Sequence, residues 1–407
     1  ALTAFAMIGY LKSYHPTLPI AAGGGLITSW LSSPEGTNHG IRRQGSAHLP
    51  SSKRLQGAGD ARHHPAMCTG VHEQADNTAD SVPCDRLRPE WRNPFNKLID
   101  HLVAGPGEIP LLKISGWQKD HLESEKICPD FTGLPLTDYL APGLILPYAA
   151  STGCYWRKCS FCPEKAETNP YRALPAELVS GQLAKLTAAA EPSLIHFLDN
   201  AISPALMHAL IANPPGPDWY SFARAEPELT DPDFCLALRR SGCVMLKLGL
   251  ESGDQGVLDE MDKGIDLGMV AKTLANLEKA GIATYVYLLF GTPTESLPEA
   301  RRTLEFTVKH ASAITFLNLA IFNMPRFAPD AASLAKTAFY EGDLSLYTDF
   351  EHPRAWNRRE IRRFLDREFK RHPAIAPIIR RDPPFFTSNH APFLIPASSK
   401  TLGNSHL

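Results

Sequence analysis

Ser151–Glu164, STGCYWRKCSFCPE, sets three cysteines, Cys154, Cys159 and Cys162, in a C-x4-C-x2-C array directly behind an apolar run, Leu144–Ala150. Three closely spaced thiols on one loop can ligate three corners of an iron–sulfur cluster, leaving the fourth iron open to an exogenous ligand. Two blander readings compete. A structural zinc knuckle normally takes a fourth Cys or His at similar spacing, and none follows before His196. A disulfide would use two of the thiols and leave one odd.

Downstream, the pattern alternates strand and helix. Leu144–Ala150 leads into the cysteine loop, and Ala176–Ala190 has helical spacing. Ser193–Leu198 reads as a strand ending at Asp199-Asn200, followed by a helix over Pro204–Ile211. Trp219–Ala223 ends at Arg224 before the helix Asp231–Ser241, and Val244–Leu250 ends at Glu251-Ser252 before helices at Gln255–Met261 and Leu267–Ala280. Ala283–Phe290 ends at Gly291 before the helix Leu297–His310, and Ala313–Phe322 is a sixth strand. Strand then helix with short connections implies parallel strands and right-handed crossovers. Six such units are too few for a closed eight-fold barrel. The strand ends carry the cysteine loop, Asp199, Arg224, Glu251 and Gly291, and barrel enzymes build their sites at that end.

The cysteine array resembles the cluster-binding loop of the radical-SAM superfamily, whose commonest form is C-x3-C-x2-C with an aromatic residue before the last cysteine. Phe161 stands at that aromatic position. The longer first gap and Gly153-Cys154-Tyr155-Trp156 resemble a variant of the cobalamin-associated branch. The six strand–helix units are similar to that superfamily's partial (β/α)6 barrel, and the resemblance covers about residues 144–325. It implies a [4Fe–4S] cluster on Cys154, Cys159 and Cys162, and S-adenosylmethionine (SAM) chelated at the open iron and cleaved reductively to a 5′-deoxyadenosyl radical. It also implies an electron donor such as flavodoxin or ferredoxin. Asp199-Asn200 stand where the family often has Gly-Gly-Glu, a departure. Asp199 is expected either to accept the methionine ammonium or to cap a helix. Arg224 either pairs with the methionine carboxylate or forms an ion pair with Glu226 or Glu228. Glu251-Ser252, in Leu-Gly-Leu-Glu-Ser-Gly, match the strand-four motif that contacts the ribose or the methionine end. Gly291-Thr-Pro-Thr-Glu295 matches the strand-five turn, where adenine lies on the backbone, and Glu295 serves there or caps the next helix. Arg157 and Lys158 either offset the cluster's charge or are plain surface residues. Cys235 and Cys243 read as buried, inert thiols.

The flanks differ in kind. Residues 1–33 read as a helix and a strand, Pro19–Ala22, running into Gly23-Gly24-Gly25. This resembles the last unit of a Rossmann-like cobalamin-binding domain, N-terminally truncated, so cobalamin is expected only in a fuller-length parent. Residues 34–90 are rich in Gly, Ser, His, Arg and Asp without apolar period, and read as a disordered insertion. Their Cys68, Cys84, His63, His64 and His72 match no usual metal spacing. Residues 91–143 close the N-terminal part: Phe95–Val103 has helical spacing, Gly105-Pro-Gly-Glu108 is a turn before Ile109–Ile114, and Pro129–Pro142 reads as an extended linker. Residues 326–407 are expected to hold one charged helix, Asn357–Arg371, followed by proline-rich extended chain.

Composition bounds the alternatives. With 407 residues and 43% hydrophobic content, the chain has material for substantial cores. A formal net charge of −2 gives no electrostatic reason to expect nucleic acid or an anionic membrane as partner. No apolar run is long enough to span a bilayer, and no charged leader opens the chain. Eight cysteines, three of them clustered as ligands, fit a reducing, cytoplasmic setting. The substrate, small molecule or peptide, is not legible. Two rival readings stand beside the enzyme: a non-catalytic iron–sulfur or zinc-binding protein, and an inactive truncated copy.

Overall fold

Leu146, Ile195, Trp219, Leu246, Leu288 and Leu317 come from six different strands, and all are buried in one apolar cluster. Their alternate neighbours point to the other face, as a strand's two-residue period requires. The computed structural model describes residues 2–24, 27, 98–103, 105–118, 127–138, 141, 143–166, 169–325, 328, 331, 333–337, 346–383 and 390–394. The inserted stretch 34–90 lies outside the described residues. The chain divides into two units: residues 1–121 with 342–344, and residues 122–341 with 345–407.

In the first unit, α1 (Leu2–Tyr14) precedes β1 (Ala21–Ala22), which pairs in parallel with β2 (His101–Leu102). Asp100 locks this pairing. Its carboxylate accepts from Lys12 Nζ and from the Ile20 amide, both at 2.7 Å. The hydrogen bond from Lys12, then that from Ile20, holds the Asp100 carboxyl below its usual range. The helix expected over Phe95–Val103 is not what residues 98–103 form; they make a turn and a strand. A short apolar run does not separate helix from buried strand by period alone, and here the parallel partner decides. Ile99 and Leu102 are buried with Ile27 in this unit's own small core. After the glycine turn, α2 spans Glu108–Ile114.

The second unit is built on six parallel strands: β3 (Ile145–Tyr148), β6 (Leu194–Phe197), β7 (Asp218–Ala223), β8 (Cys243–Glu251), β9 (Ala283–Phe290) and β10 (Phe316–Ile321). A short antiparallel pair, β4 (Ser151–Thr152) with β5 (Arg172–Ala173), brackets the cysteine loop. The order across the sheet is β3-β6-β7-β8-β9-β10, each strand joining the edge left by the one before. The order never reverses. Right-handed crossovers therefore place every helix on the same face, giving the partial (β/α)6 barrel rather than a doubly wound sheet. The crossover helices are α4 (Ala176–Ala190), α5 (Pro204–Ala212), α6 (Pro232–Arg240), α7 (Gln255–Glu260) with α8 (Leu267–Ala280), and α9 (Leu297–Lys309). Their starts are chemically marked. Ser203, Asp231, Asp254 and Asp266 each accept a backbone N–H of the following turn. Ser296 and Glu299 form a capping box on α9, so Ser296, rather than Glu295, caps that helix.

The C-terminal part is more ordered than its proline content implies. A small antiparallel sheet orders β11 (Met324–Pro325), β13 (Tyr347–Phe350) and β12 (Lys336–Thr337). The single helix expected over Asn357–Arg371 is α10 (Arg358–Phe364) continued by a π turn, Leu365–Phe369. The wider turn lets Leu365 and Phe369 both bury beside Phe364. Chain expected to be extended instead holds α11 (Ala376–Ile379), with Ile375 and Ile378 buried in the barrel's outer core. The linker over 129–142 contains one tight helical turn, Leu136–Asp138.

Leu246 lies in the middle of β8 and is wholly buried. Leu246→Ala is expected to destabilise the second unit by about 2–5 kcal/mol, the usual cost of emptying a packed leucine site. A urea midpoint within error of wild type would contradict the packing described.

Candidate cluster and cofactor site

The cysteine loop leaves the carboxyl end of β3 and is tied down along its whole length. At its start, the buried Asp199 carboxylate accepts from the Ala150 amide at 3.1 Å and from the Ser151 hydroxyl at 2.5 Å. Burial raises the Asp199 pKa, against the lowering effect of those hydrogen bonds. Asn200 Nδ2 donates to the Gly153 carbonyl at 3.1 Å. Asp199 and Asn200 thus act on the protein's own loop: they hold the turn into Cys154.

A second brace comes from Met261–Gly264, between α7 and α8. The Ser160 amide donates to Met261 O at 3.0 Å, and Trp156 Nε1 donates to Asp262 O at 2.9 Å. The Trp156 ring lies so close over Gly264 (φ +65°) that a Cβ there would fall 1.9 Å from it. Only glycine fits. Arg224 stacks on the same indole at 4.2 Å, with Lys158 at 4.6 Å from the ring. Arg224 Nη2 donates to Lys263 O at 2.7 Å, and Nε donates to Glu226 at 3.1 Å. The same Glu226 oxygen accepts from Tyr155 OH at 2.8 Å. Of the two roles open to Arg224, the geometry provides the ion pair with Glu226.

The three cysteines are free thiols; Cys159 is buried and the other two half-buried. Burial pushes the Cys159 and Cys162 thiols up. Lys263 and Arg224 oppose this at Cys159, and the Glu164 and Lys165 amides oppose it at Cys162. Among the described residues no three His, Cys, Asp or Glu side chains are gathered tightly enough to hold one metal ion. An all-sulfur set spread around one loop, with two buried cations behind it, suits a polynuclear anionic cluster better than a single zinc ion.

Beside the loop, Glu251 ends β8 with φ +66°, at an irregularity in the β8–β9 register. A non-glycine residue in that region is strained and is a mark of functional positions. Its Oε1 accepts from Lys263 Nζ at 2.8 Å, a pair that is largely buried. Gly249 makes room for it, since a Cβ there would stand 2.7 Å from Glu251 Oε1 and 2.9 Å from Lys263 Nζ. Lys263 Nζ also lies 5.6 Å from the centre of the Phe161 ring, on the cysteine loop itself. Ser252 is placed differently from its neighbour. It is fully buried, hydrogen-bonded to Thr303 of α9 at 3.1 Å and to the Asp254 amide, which is a helix-start role.

At the end of β9, Gly291 (φ +86°) lines a cleft of about 180 Å³ with Ile321, Phe322, Phe350, His352 and Trp356. Behind it lies Glu295, wholly buried. One of its carboxylate oxygens accepts from the Gly291 amide at 2.5 Å and from Trp356 Nε1 at 2.9 Å. His352 Nε2 meets Thr292 O at 2.9 Å. Sequence reasoning missed Lys263, Trp356 and His352. Lys263 is twelve residues from Glu251 in a non-periodic stretch, and the other two come from a segment with no motif.

Thus the structure brings Cys154, Cys159, Cys162, Arg224 and Glu251 around one loop, keeps Asp199 beneath it, and sets Gly291 in a neighbouring cleft. A parallel partial barrel with a three-thiol loop over its strand ends defines a class of iron–sulfur barrel domains. Residues 148–307 match the model of the Radical SAM superfamily. No curated protein matches the chain. Among solved structures it is similar to the radical S-adenosylmethionine methyltransferase TsrM from Kitasatospora setae, with cobalamin and a [4Fe-4S] cluster bound (19% identity, 47% of this chain, 39% of that one, TM-score 0.41). It is also similar to the cobalamin-dependent S-adenosylmethionine radical enzyme OxsB with aqua-cobalamin (19%, 43% and 27%, 0.36). A third similarity is to the coproporphyrinogen III oxidase HemN from Escherichia coli, a radical SAM enzyme (16%, 55% and 52%, 0.38). The chain spans about two fifths of TsrM and about a quarter of OxsB.

Burial holds the Glu295 carboxyl up at about 7, from an ordinary 4.5. The folded protein keeps a proton there that the unfolded chain loses, so the group's favourable contribution is complete below pH 4.5 and lost as pH rises to about 7. Glu295→Gln keeps an acceptor for Gly291 and Trp356 but cannot ionise. Its thermal midpoint should gain on wild type across pH 4.5–7. A constant offset over that range would show that Glu295 is not the titrating group.

Proposed function

We propose that the chain is a radical-SAM enzyme, and that its own residues divide into three tasks around one bound SAM. Cys154, Cys159 and Cys162 would hold a [4Fe–4S] cluster. When bound, that cluster supplies the electron for reductive cleavage of SAM to a 5′-deoxyadenosyl radical. The observation that carries the reading is the three-thiol loop pinned over the barrel's strand ends by Arg224 and Met261–Gly264.

Glu251 and Lys263 are opposite charges, largely buried, side by side and next to the loop. They match the zwitterionic methionine end of SAM, the carboxylate offering itself to the ammonium and the lysine to the carboxylate. Arg224 and Asp199 would then work by positioning, one from the Trp156 face and one from the Ala150 end. The cleft at Gly291 would take adenine between the apolar Ile321, Phe322, Phe350 and Trp356, with Asp349, Asn357 and Arg358 as its polar side. Ser252 would fix the start of α7 rather than touch SAM.

The cobalamin-associated branch is supported by Gly153-Cys154-Tyr155-Trp156 and by the turn at Gly105–Glu108. Residues 1–33 are read as part of a Rossmann-like cobalamin-binding domain. Oxygen-sensitive cluster chemistry and the six free thiols among the described residues fit a reducing, cytoplasmic setting. An electron donor of the flavodoxin or ferredoxin kind would complete the system.

Anaerobic reconstitution should load about four irons and sulfides per chain, and Cys159→Ala should abolish the brown chromophore. Tetrahedral zinc with no iron would sink the proposal. Lys263→Met should retain the iron yet weaken SAM binding roughly ten- to a hundredfold, the loss of a charge-assisted contact. The readout is the SAM-induced change in the reduced cluster's paramagnetic resonance spectrum. An unaltered spectral response would remove Lys263 from the methionine site.

A further inference from the structure

Charge is distributed unevenly along this chain. Residues 352–383 carry ten Lys or Arg against four Asp or Glu, a net +6, while the whole chain is −2, which leaves −8 for the rest. The fold turns that segment into a surface. On α10 and its π turn, Ile361, Phe364, Leu365 and Phe369 are buried in the barrel's outer core. With the apolar side fixed in this way, Arg359, Arg362, Arg363, Arg367, Lys370 and Arg371 are all exposed. Arg359, Arg363, Arg367 and Arg371 recur every fourth residue, close to the spacing at which like charges on a helix repel.

The acidic neighbours do not cancel this face. Glu360 is shared between Arg359 at 3.3 Å and Arg363 at 4.0 Å, and Asp366 accepts from Lys370 at 2.8 Å. Glu368 is taken by Arg301 of α9, which brings one more exposed cation. Among the described residues, Arg362, Arg367 and Arg371 form no ion pair. The Asp366 carboxyl is held below its usual range by the hydrogen bond from Lys370 and by its charge, then by Arg371 and Arg362. Nor does the chain hold a ready complement. The two long stretches outside the described residues, 28–97 and 395–407, are themselves net +2 and +1 in sequence.

The complement is therefore an external anionic surface, and the face discriminates among three kinds. A single-stranded nucleic acid wants exposed rings to stack on, and Trp356, Phe364 and Phe369 are buried. An anionic membrane wants apolar side chains to insert beside the cations, and those of α10 face the core. A uniform phosphate backbone would also meet Asp366 and Glu368, both exposed. Carboxylates on a protein suit arginine forks, and a face of mixed sign fixes the register of such an encounter. The face also begins beside the cysteine loop's own packing. Arg358 Nη2 donates to Phe322 O at 3.3 Å, and Phe161 of the loop packs on the small core that contains Phe322.

We propose that the arginine face of α10 and its π turn is the docking surface for an acidic electron-carrier protein. The assignment rests on the radical-SAM reading above, in which a reduced carrier is oxidised by one electron and the cluster on the three cysteines is reduced by one. Electron-transfer encounters of this kind are small, fast and steered by charge.

The test measures binding of an acidic flavodoxin to the full-length chain, after anaerobic reconstitution, by isothermal titration calorimetry. Affinity should fall at least about tenfold between about 20 and about 200 mM NaCl. The triple variant Arg362→Gln, Arg363→Gln, Arg367→Gln should bind roughly ten- to a hundredfold more weakly at low salt. The triple variant Lys185→Gln, Lys272→Gln, Lys279→Gln removes the same charge from α4 and α8 and should bind as wild type does. Reduction of the cluster by flavodoxin should slow in the arginine variant, while reduction by dithionite, which needs no docking, should keep its rate. No binding by wild type at low salt, full binding by the arginine variant, or equal loss in the two triple variants overturns the assignment. A face that ignores flavodoxin but binds poly(dT) or phosphatidylglycerol vesicles overturns it in favour of nucleic acid or membrane. The two readings fail separately. Salt-sensitive flavodoxin binding at this face in a protein that takes up no iron keeps the docking surface and removes the radical chemistry. Iron uptake and dithionite-driven SAM cleavage without flavodoxin binding remove the docking surface alone.

Discussion

Arg224 sits over the Trp156 indole at 4.2 Å, and much of the cysteine loop's position follows from that contact. The guanidinium is buried, so its charge must be fully met. It is met by Glu226, by the Lys263 carbonyl and by the ring face. Each partner in turn holds something else. Glu226 takes the Tyr155 hydroxyl, Trp156 reaches the Asp262 carbonyl, and Lys263 carries its own side chain to Glu251. A seven-residue network thereby links the loop, the end of β7, the end of β8 and the turn between α7 and α8. Such a network is stable only when all members are satisfied, which gives the loop one arrangement rather than several.

The same economy explains why the C-terminal segment reaches the cleft beside Gly291. Glu295 is buried at the turn after β9 and needs donors; the Gly291 amide supplies one and the Trp356 indole the other. Trp356 therefore arrives at the cleft because a buried carboxyl requires it, His352 is held there by the Thr292 carbonyl, and α10 with its π turn seals the outer core behind them. The walls of the cleft and the stability of the last barrel unit rest on the same contacts.

Inside the barrel the balance is opposite. The helix-covered face of the strands is mostly apolar and buried, while the inner face carries aromatic and polar residues, several of them partly accessible. Stability comes from the helix-covered side, leaving the lumen free to hold groups that a packed core would reject. Glu251, in a left-handed backbone conformation, and Lys247, with a buried charge, are the two places where β8 carries that cost.

Much of this was legible in the chain itself. Strand and helix units alternate with clear periods, and short connections allow only parallel strands with right-handed crossovers, so the partial barrel follows from local pattern. The cysteine spacing and the polar residue closing each strand single out one end of the barrel as the candidate site, because both are properties of neighbouring residues. What local pattern does not encode is which partner a polar side chain finds. Asp199 and Ser252 look like ligands in sequence, yet Asp199 is spent on the Ala150 and Ser151 groups and Ser252 on Thr303. Lys263 and Trp356 look like surface and tail residues, yet burial brings each to a carboxylate, Glu251 in one case and Glu295 in the other. The strand over His101–Leu102 likewise depends on a partner some eighty residues away in the chain. Periodicity is set by nearest neighbours, whereas the pairing of a buried charge is set by whatever the completed fold leaves within reach.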